Sequence, residues 1–172
     1  MNGKIPGSSR IGILTSGGDA PGMNAAIRAV YRAAHELGIE VVGIRRGFSG
    51  LIEGDFFLMD RSHVANIIHL GGTVLGTSRS EEFKTSEGRK KSAENLRNAE
   101  IDALLVIGGE GSFRGADLFN DETGIPEELY FQMGDLHKSA LRGGKKNIEK
   151  LTRLIEQYPG VPQLKNYLSV AW

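Results

Sequence analysis

The chain has 172 residues, no cysteine, and 21 basic residues balanced by 21 acidic ones. Without cysteine there is no disulfide framework, thiolate metal site or cysteine nucleophile. A chain without net charge gains nothing from general attraction to nucleic acid or to a membrane surface. No apolar run approaches the roughly 20 residues of a membrane span. Residues 1–9 lack an apolar signal core, so the expectation is a cytoplasmic protein with no nucleic-acid or membrane partner.

In chain order, Ile11-Gly12-Ile13-Leu14 reads as a short buried strand running into the turn Thr15-Ser16-Gly17-Gly18. Met23, Ile27, Val30, Ala34 and Leu37 then mark one face of a helix, with Pro21 suited to its first turn and Gly38 placed to end it. Val41–Ile44 is a second strand. Residues 51–76 are less regular, with a short helix expected from Ser62 to His69. Ala93, Leu96 and Ala99 mark another helix, and Ala103–Ile107 is the clearest buried strand. Strands alternating with helices imply a Rossmann-like α/β fold, a parallel sheet with flanking helices.

Glycine is the compositional outlier. Of 24 residues, twenty lie in 1–126 and four in 127–172, which places a boundary near Pro126 between a first domain and a tail. Two glycine-rich loops, Gly17-Gly18-Asp19-Ala20-Pro21-Gly22 and Gly108-Gly109-Glu110-Gly111-Ser112, each follow a strand and open a helix. In a parallel sheet both loops lie at the carboxyl ends of the strands, where open α/β sheets bind ligands. Glycine lets backbone approach an anion closely, and a helix start offers unpaired N–H groups, so phosphate is the natural guest. Neither loop is a G-x-G-x-x-G or a P-loop fingerprint, and no acidic residue is securely placed to read a ribose. A nicotinamide dehydrogenase and a P-loop nucleotidase are therefore poor fits. His35, His63, His69 and His137 show no metal-ligand spacing, and the adjacent pairs Glu81-Glu82, Asp121-Glu122 and Glu127-Glu128 read as solvated surface.

The run from Ile11 to Arg28, with Gly71–Arg79 and Ile101–Ser112 after it, resembles the N-terminal lobe of the bacterial ATP-dependent 6-phosphofructokinases. The three landmarks occur in that family's order over about residues 10–126. The resemblance implies transfer of the γ-phosphoryl group of ATP to fructose 6-phosphate, with ATP and Mg²⁺ bound. By position in the motifs, Gly18, Arg79, Ser80, Gly109, Gly111 and Ser112 would contact ATP. Arg79 would also be a contact to the phosphoryl group in transfer. Glycine at 111 leaves room for the α-phosphate and marks ATP rather than pyrophosphate use. Arg28, Arg32 and Arg61 match an effector site for nucleoside diphosphates or phosphoenolpyruvate between subunits, which implies a homo-oligomer or pairing with a related subunit.

Two departures from the family stand out. Glu110 replaces the usual Mg²⁺-binding aspartate; it keeps the charge and moves it by about one C–C bond, ~1.5 Å. After Gly124-Ile125-Pro126 the chain reads Glu127-Glu128-Leu129-Tyr130-Phe131-Gln132, where the family continues toward a Pro-Gly-Thr-Ile-Asp-Asn-Asp motif carrying the catalytic base. The expectation is a truncated or fused lobe without base or sugar site, inactive alone. A non-catalytic nucleotide- or effector-binding module, or a non-functional product, are the alternatives. Residues 127–172 are expected to form a helical tail. Leu129, Met133, Leu136 and Ala140 would mark its first helix, Ile148, Leu151, Leu154 and Ile155 a second, and Leu164, Tyr167, Leu168 and Ala171 a third. A helical hairpin or a tetratricopeptide-like unit would fit that pattern.

Overall fold

The computed structural model describes residues 10–125 and the backbone of 127–132. Five strands form one sheet in the order β3-β2-β1-β4-β5. These are β1 (Arg10–Thr15), β2 (Glu40–Ile44), β3 (Phe56–Leu58), β4 (Ala103–Gly108) and β5 (Glu127–Gln132). Strand β1 pairs in parallel with β2 on one side and with β4 on the other, Ile13 lying opposite Gly43 and Leu105. Successive side chains of a strand point to opposite faces, and the core divides accordingly. Leu14, Leu104 and Val106 face one cluster, while Ile13, Leu105 and Ile107 face the other.

Helix α1 (Met23–Glu36) covers the second face with Met23, Ile27, Tyr31 and Ala34. It closes as expected at Gly38, whose φ of 71° only glycine adopts freely. Helices α2 (Gly47–Glu53), α3 (Ser86–Asn98) and α4 (Glu110–Thr123) cover the first face. Phe83 stacks on Phe48 of α2 with ring centroids 4.0 Å apart and meets Phe119 of α4 at 5.6 Å. Arg89 of α3 is buried beside them. It donates to both oxygens of Glu122 on α4 at 2.7 Å and to the carbonyls of Phe83 (3.0 Å) and Lys84 (2.7 Å). The guanidinium beside Glu122 holds that carboxyl below the usual carboxylate range.

Four features depart from the sequence expectations. Residues 47–53 form α2, which its two glycines hide from propensity and which burial of Phe48, Leu51 and Ile52 stabilises instead. Strand β3 runs antiparallel on β2, so the sheet is mixed rather than wholly parallel. The helix expected over 62–69 is a single 3₁₀ turn, Arg61–Val64, followed by extended backbone at Ala65 and a positive φ at Asn66. Residues 127–132 form β5, parallel to β4 with a shift between Leu104 and Val106, where a helix was expected from Leu129. The edge of β4 explains that last difference, because pairing satisfies a row of backbone groups that a helix would leave open. The expected boundary at Pro126 therefore falls just before a strand of the same sheet. The remaining expected helices, and His137, lie outside the described residues.

The 3₁₀ turn gives an acid-sensitive contact. Asp60 accepts from the Ser62 hydroxyl (2.5 Å) and from the Ser62 and His63 backbone N–H groups. These bonds, the Ser62 hydroxyl first, lower its pKa from 3.8 to about 2. A carboxyl held below its unfolded value stabilises fully above about pH 4, and loses that contribution as pH falls through about 2. Asp60→Asn should therefore flatten the fall in thermal midpoint across that window. A slope identical to the parent's would place the acid sensitivity elsewhere.

Candidate functional site

The sheet order changes direction at β1: the chain moves from β1 to β2 on one side and later to β4 on the other. The crevice between the carboxyl ends of β1 and β4 is thus the topological switch point, where ligands bind in open α/β sheets. Both glycine loops open there, and they meet. The Ser16 amide donates to the Ile107 carbonyl at 2.8 Å. A Cβ built on Gly17 would lie 3.7 Å from Ser112 Oγ and 3.9 Å from the Gly109 nitrogen. At Gly108 the approach is closer still, since a Cβ there would lie 2.7 Å from both Ser112 Oγ and the Ser16 carbonyl oxygen.

Around this contact the surface opens. Built Cβ atoms on Gly18, Gly109 and Gly111 would meet nothing within 4 Å. No side chain caps the start of α4 at Gly109, so its first N–H groups are left for solvent or a ligand. The result is a cradle of backbone donors at a positive helix end, chemically suited to phosphate. Gly109, Gly111 and Ser112 lie together at the start of α4, and Gly17, the neighbour of Gly18, approaches Gly109 and Ser112.

Glu110 is the first residue of α4 and forms an exposed ion pair with Arg114 one turn along. Among the described residues no three His, Cys, Asp or Glu side chains come together as a metal site. Glu110 alone does not hold a divalent ion. As one exposed carboxylate at the start of α4, it offers an oxygen donor of the kind Mg²⁺ takes.

Arg79 and Ser80 lie on an irregular segment tied to the end of β1 through Gly76. Arg79 is exposed, and among the described residues no ion pair holds its guanidinium. Ser80 is committed locally, its Oγ accepting from the Phe83 amide at 3.1 Å. That bond uses only an acceptor lone pair, so the Ser80 O–H is still free to donate.

The three remaining arginines gather elsewhere. Arg28, Arg32 and Arg61 line a cavity of about 420 Å³ beside α1, together with Tyr31, His35, Asn66 and one carboxylate, Glu36. Arg28 donates to the Val64 carbonyl at 2.6 Å, and Arg61 lies 3.2 Å from His35 Nε2. A guanidinium only donates, so Nε2 is the acceptor in that contact. Tyr31 and His35 stack with centroids 5.7 Å apart. Burial, reinforced by the charge of Asp60, pushes the Tyr31 hydroxyl up from its ordinary pKa. Tyr31 and His35 were not expected at this site. Their spacing was the available signal: residues 28, 31, 32 and 35 share one helix face. Three guanidinium groups around one cavity suit a di- or polyanion.

The family model for phosphofructokinase matches residues 10–132, to the last residue of β5. An ATP-dependent 6-phosphofructokinase of Halothermothrix orenii is 62% identical over 117 residues, which cover 68% of this chain and 35% of the relative. An ATP-dependent 6-phosphofructokinase 1 of Thermus thermophilus is 58% identical over 117 residues, 68% of this chain and 36% of the relative. The crystal structure of Pichia pastoris phosphofructokinase in the T-state aligns with a TM-score of 0.70 at 37% identity, covering 78% of this chain and 16% of that one. The chain spans about a third of the length of the curated relatives it matches. Among the described residues, no helix is long and apolar enough to cross a membrane.

Proposed function

Since this chain belongs to the phosphofructokinase family, we propose that its crevice between β1 and β4 is the phosphate-binding half of an ATP site. The reaction served is phosphoryl transfer from ATP to fructose 6-phosphate, in the cytoplasm. The observation that carries this reading is the meeting of two glycine loops at the switch point, with open space over Gly18, Gly109 and Gly111.

In this reading the backbone N–H groups at the start of α4 and the Gly17-Gly18 turn hold the phosphates. Ser112 fixes the distance between the two loops. Arg79 brings a positive charge toward the phosphoryl group, and Ser80 lies beside it. Glu110, paired here with Arg114, would hold Mg²⁺ beside the phosphates. Bound Mg²⁺ would supply neutralisation of phosphate charge. The cavity on α1 is an effector site in which Arg28, Arg32 and Arg61 take a nucleoside diphosphate or phosphoenolpyruvate, completed by a neighbouring subunit.

The 172 residues contain no Pro-Gly-Thr-Ile-Asp-Asn-Asp motif. We therefore propose that this polypeptide binds nucleotide without turning over fructose 6-phosphate. The cavity on α1 favours a second reading, a nucleotide- or effector-binding module whose ligand sits among Arg28, Arg32 and Arg61.

The test is a thermal shift of the 172-residue polypeptide with Mg²⁺–ATP, Mg²⁺–ADP and fructose 6-phosphate. Ligand at about 100 times its Kd stabilises by roughly 2.7 kcal/mol, so both nucleotides should raise the midpoint by several degrees and the sugar phosphate should not. Silence toward all three would overturn the reading. Glu110→Asp should lower the Mg²⁺ concentration at which ATP saturates; equal saturation would remove Glu110 from the metal site.

A further inference from the structure

Building on the phosphate-site reading, we infer that Thr15 is a positioning residue for Arg79. Its buried hydroxyl fastens the segment that delivers Arg79 to the phosphate loop.

Residues 70–80 contain no helix or strand, so no backbone ladder fixes their path. Side chains fix it instead. Thr15 is the last residue of β1, immediately before Ser16-Gly17-Gly18, and is fully buried. Its Oγ1 lies 2.9 Å from the Gly76 carbonyl oxygen and 2.9 Å from Thr73 Oγ1. The carbonyl can only accept, so the single proton of Thr15 goes to Gly76. Thr73 must then donate to Thr15, and Thr73 Oγ1 in turn accepts from the Leu75 amide at 3.2 Å. The bonds run in one direction, from Leu75 N–H through Thr73 and Thr15 to Gly76, and such chains polarise one another.

Neighbouring contacts hold the same segment from both sides. Buried Asn24 donates to the Leu70 carbonyl (3.1 Å) and accepts from the Val74 amide (2.8 Å), and the Arg46 amide donates to the Leu75 carbonyl (2.9 Å). Ser49 Oγ donates to Ser78 Oγ at 3.1 Å, one residue before Arg79. Valine has the shape of threonine and suits a strand at least as well. Burying a hydroxyl at the end of an apolar strand is unfavourable unless its bonds are made. Here those bonds lead only to the segment that carries Arg79. The register of that segment is therefore set from the same strand end that begins the phosphate loop, so the guanidinium and the loop share one reference point.

The experiment is a double-mutant cycle on the 172-residue polypeptide, with Mg²⁺–ATP affinity read by titration calorimetry. Thr15→Val should weaken binding about tenfold in the parent and less than about twofold in an Arg79→Ala background, because a contact acting through Arg79 has nothing left to position. Thr15→Ser, which keeps the hydroxyl, should stay within about twofold of the parent. Equal weakening in both backgrounds would make Thr15 a general support of the fold and overturn the inference, as would unchanged binding in Thr15→Val. Should Thr15→Val not fold, Thr73→Val breaks the same chain from the half-buried segment side and carries the same expectations. If the parent binds no Mg²⁺–ATP, the site reading falls and this inference with it. If the parent binds and Arg79→Ala binds equally well, the site stands and only the inference falls.

Discussion

Gly108→Ala is expected to be the most damaging single methyl group that can be added at the site. The new Cβ would lie 2.7 Å from the Ser16 carbonyl oxygen and from Ser112 Oγ, and 2.9 Å from Ser112 Cβ. The serine hydroxyl can rotate away. The carbonyl cannot, because Ser16 is tied to Ile107 through its own amide. Overpacking of this kind costs about 1–3 kcal/mol. For a chain of this size each kcal/mol lowers the thermal midpoint by about 2–4 °C. The strain is relieved only if the two glycine loops part, so the nucleotide response should fall with the midpoint. Adding Ser112→Ala removes one of the two closest contacts and should recover part of the loss. A Gly108→Ala protein with the parent's midpoint and the parent's nucleotide shift would show that the loops are not in the contact described.

Gly111 should behave in the opposite way. It lies in the first turn of α4, has open space where a Cβ would go, and lacks a positive φ. Gly111→Ala should raise stability by about 0.5–1 kcal/mol, the usual gain from replacing glycine in a helix. The same methyl group occupies space assigned to a phosphate, so nucleotide affinity should drop. Gly111→Asp separates the effects further. A carboxylate at a helix N-terminus is favourable to the fold, yet it sets a negative charge against the phosphates. A loss of about 100-fold in Mg²⁺–ATP affinity, near 2.7 kcal/mol, is expected. Calorimetric titration beside thermal unfolding resolves the two directions. If both variants bind nucleotide as the parent does, the open space over Gly111 is not the ligand's.

The parts that could be read directly are those where one local rule dominates. Ile11–Leu14 and Ala103–Ile107 are short apolar runs closed by glycines, and both are strands. The stripe beginning at Met23 is a helix buried along that face. The two glycine loops were legible because each joins such a strand to a helix. What stayed hidden depends on partners distant in the chain. Helix α2 survives two glycines only because the sheet and α3 bury Phe48, Leu51 and Ile52. Leu129 and its neighbours were read by helical spacing, but the open edge of β4 takes them as β5. The arginines of the α1 cavity came from family resemblance; their joining to Tyr31 and His35 needed the fold. The bond from Thr73 to Thr15 spans 58 residues, and nothing local to either threonine announces it.

Strand β4 is buried along its whole length and pairs on both sides, with β1 and β5. Local opening begins where few contacts must break and reaches such a strand last. Both glycine loops hang from strands flanked on each side, β1 and β4, whereas the short strand β3 lies at the rim of the sheet. The molecule can therefore loosen at its periphery many times over without disturbing the crevice. In terms of time rather than space, the strand ends that carry the two loops outlast the rim of the sheet.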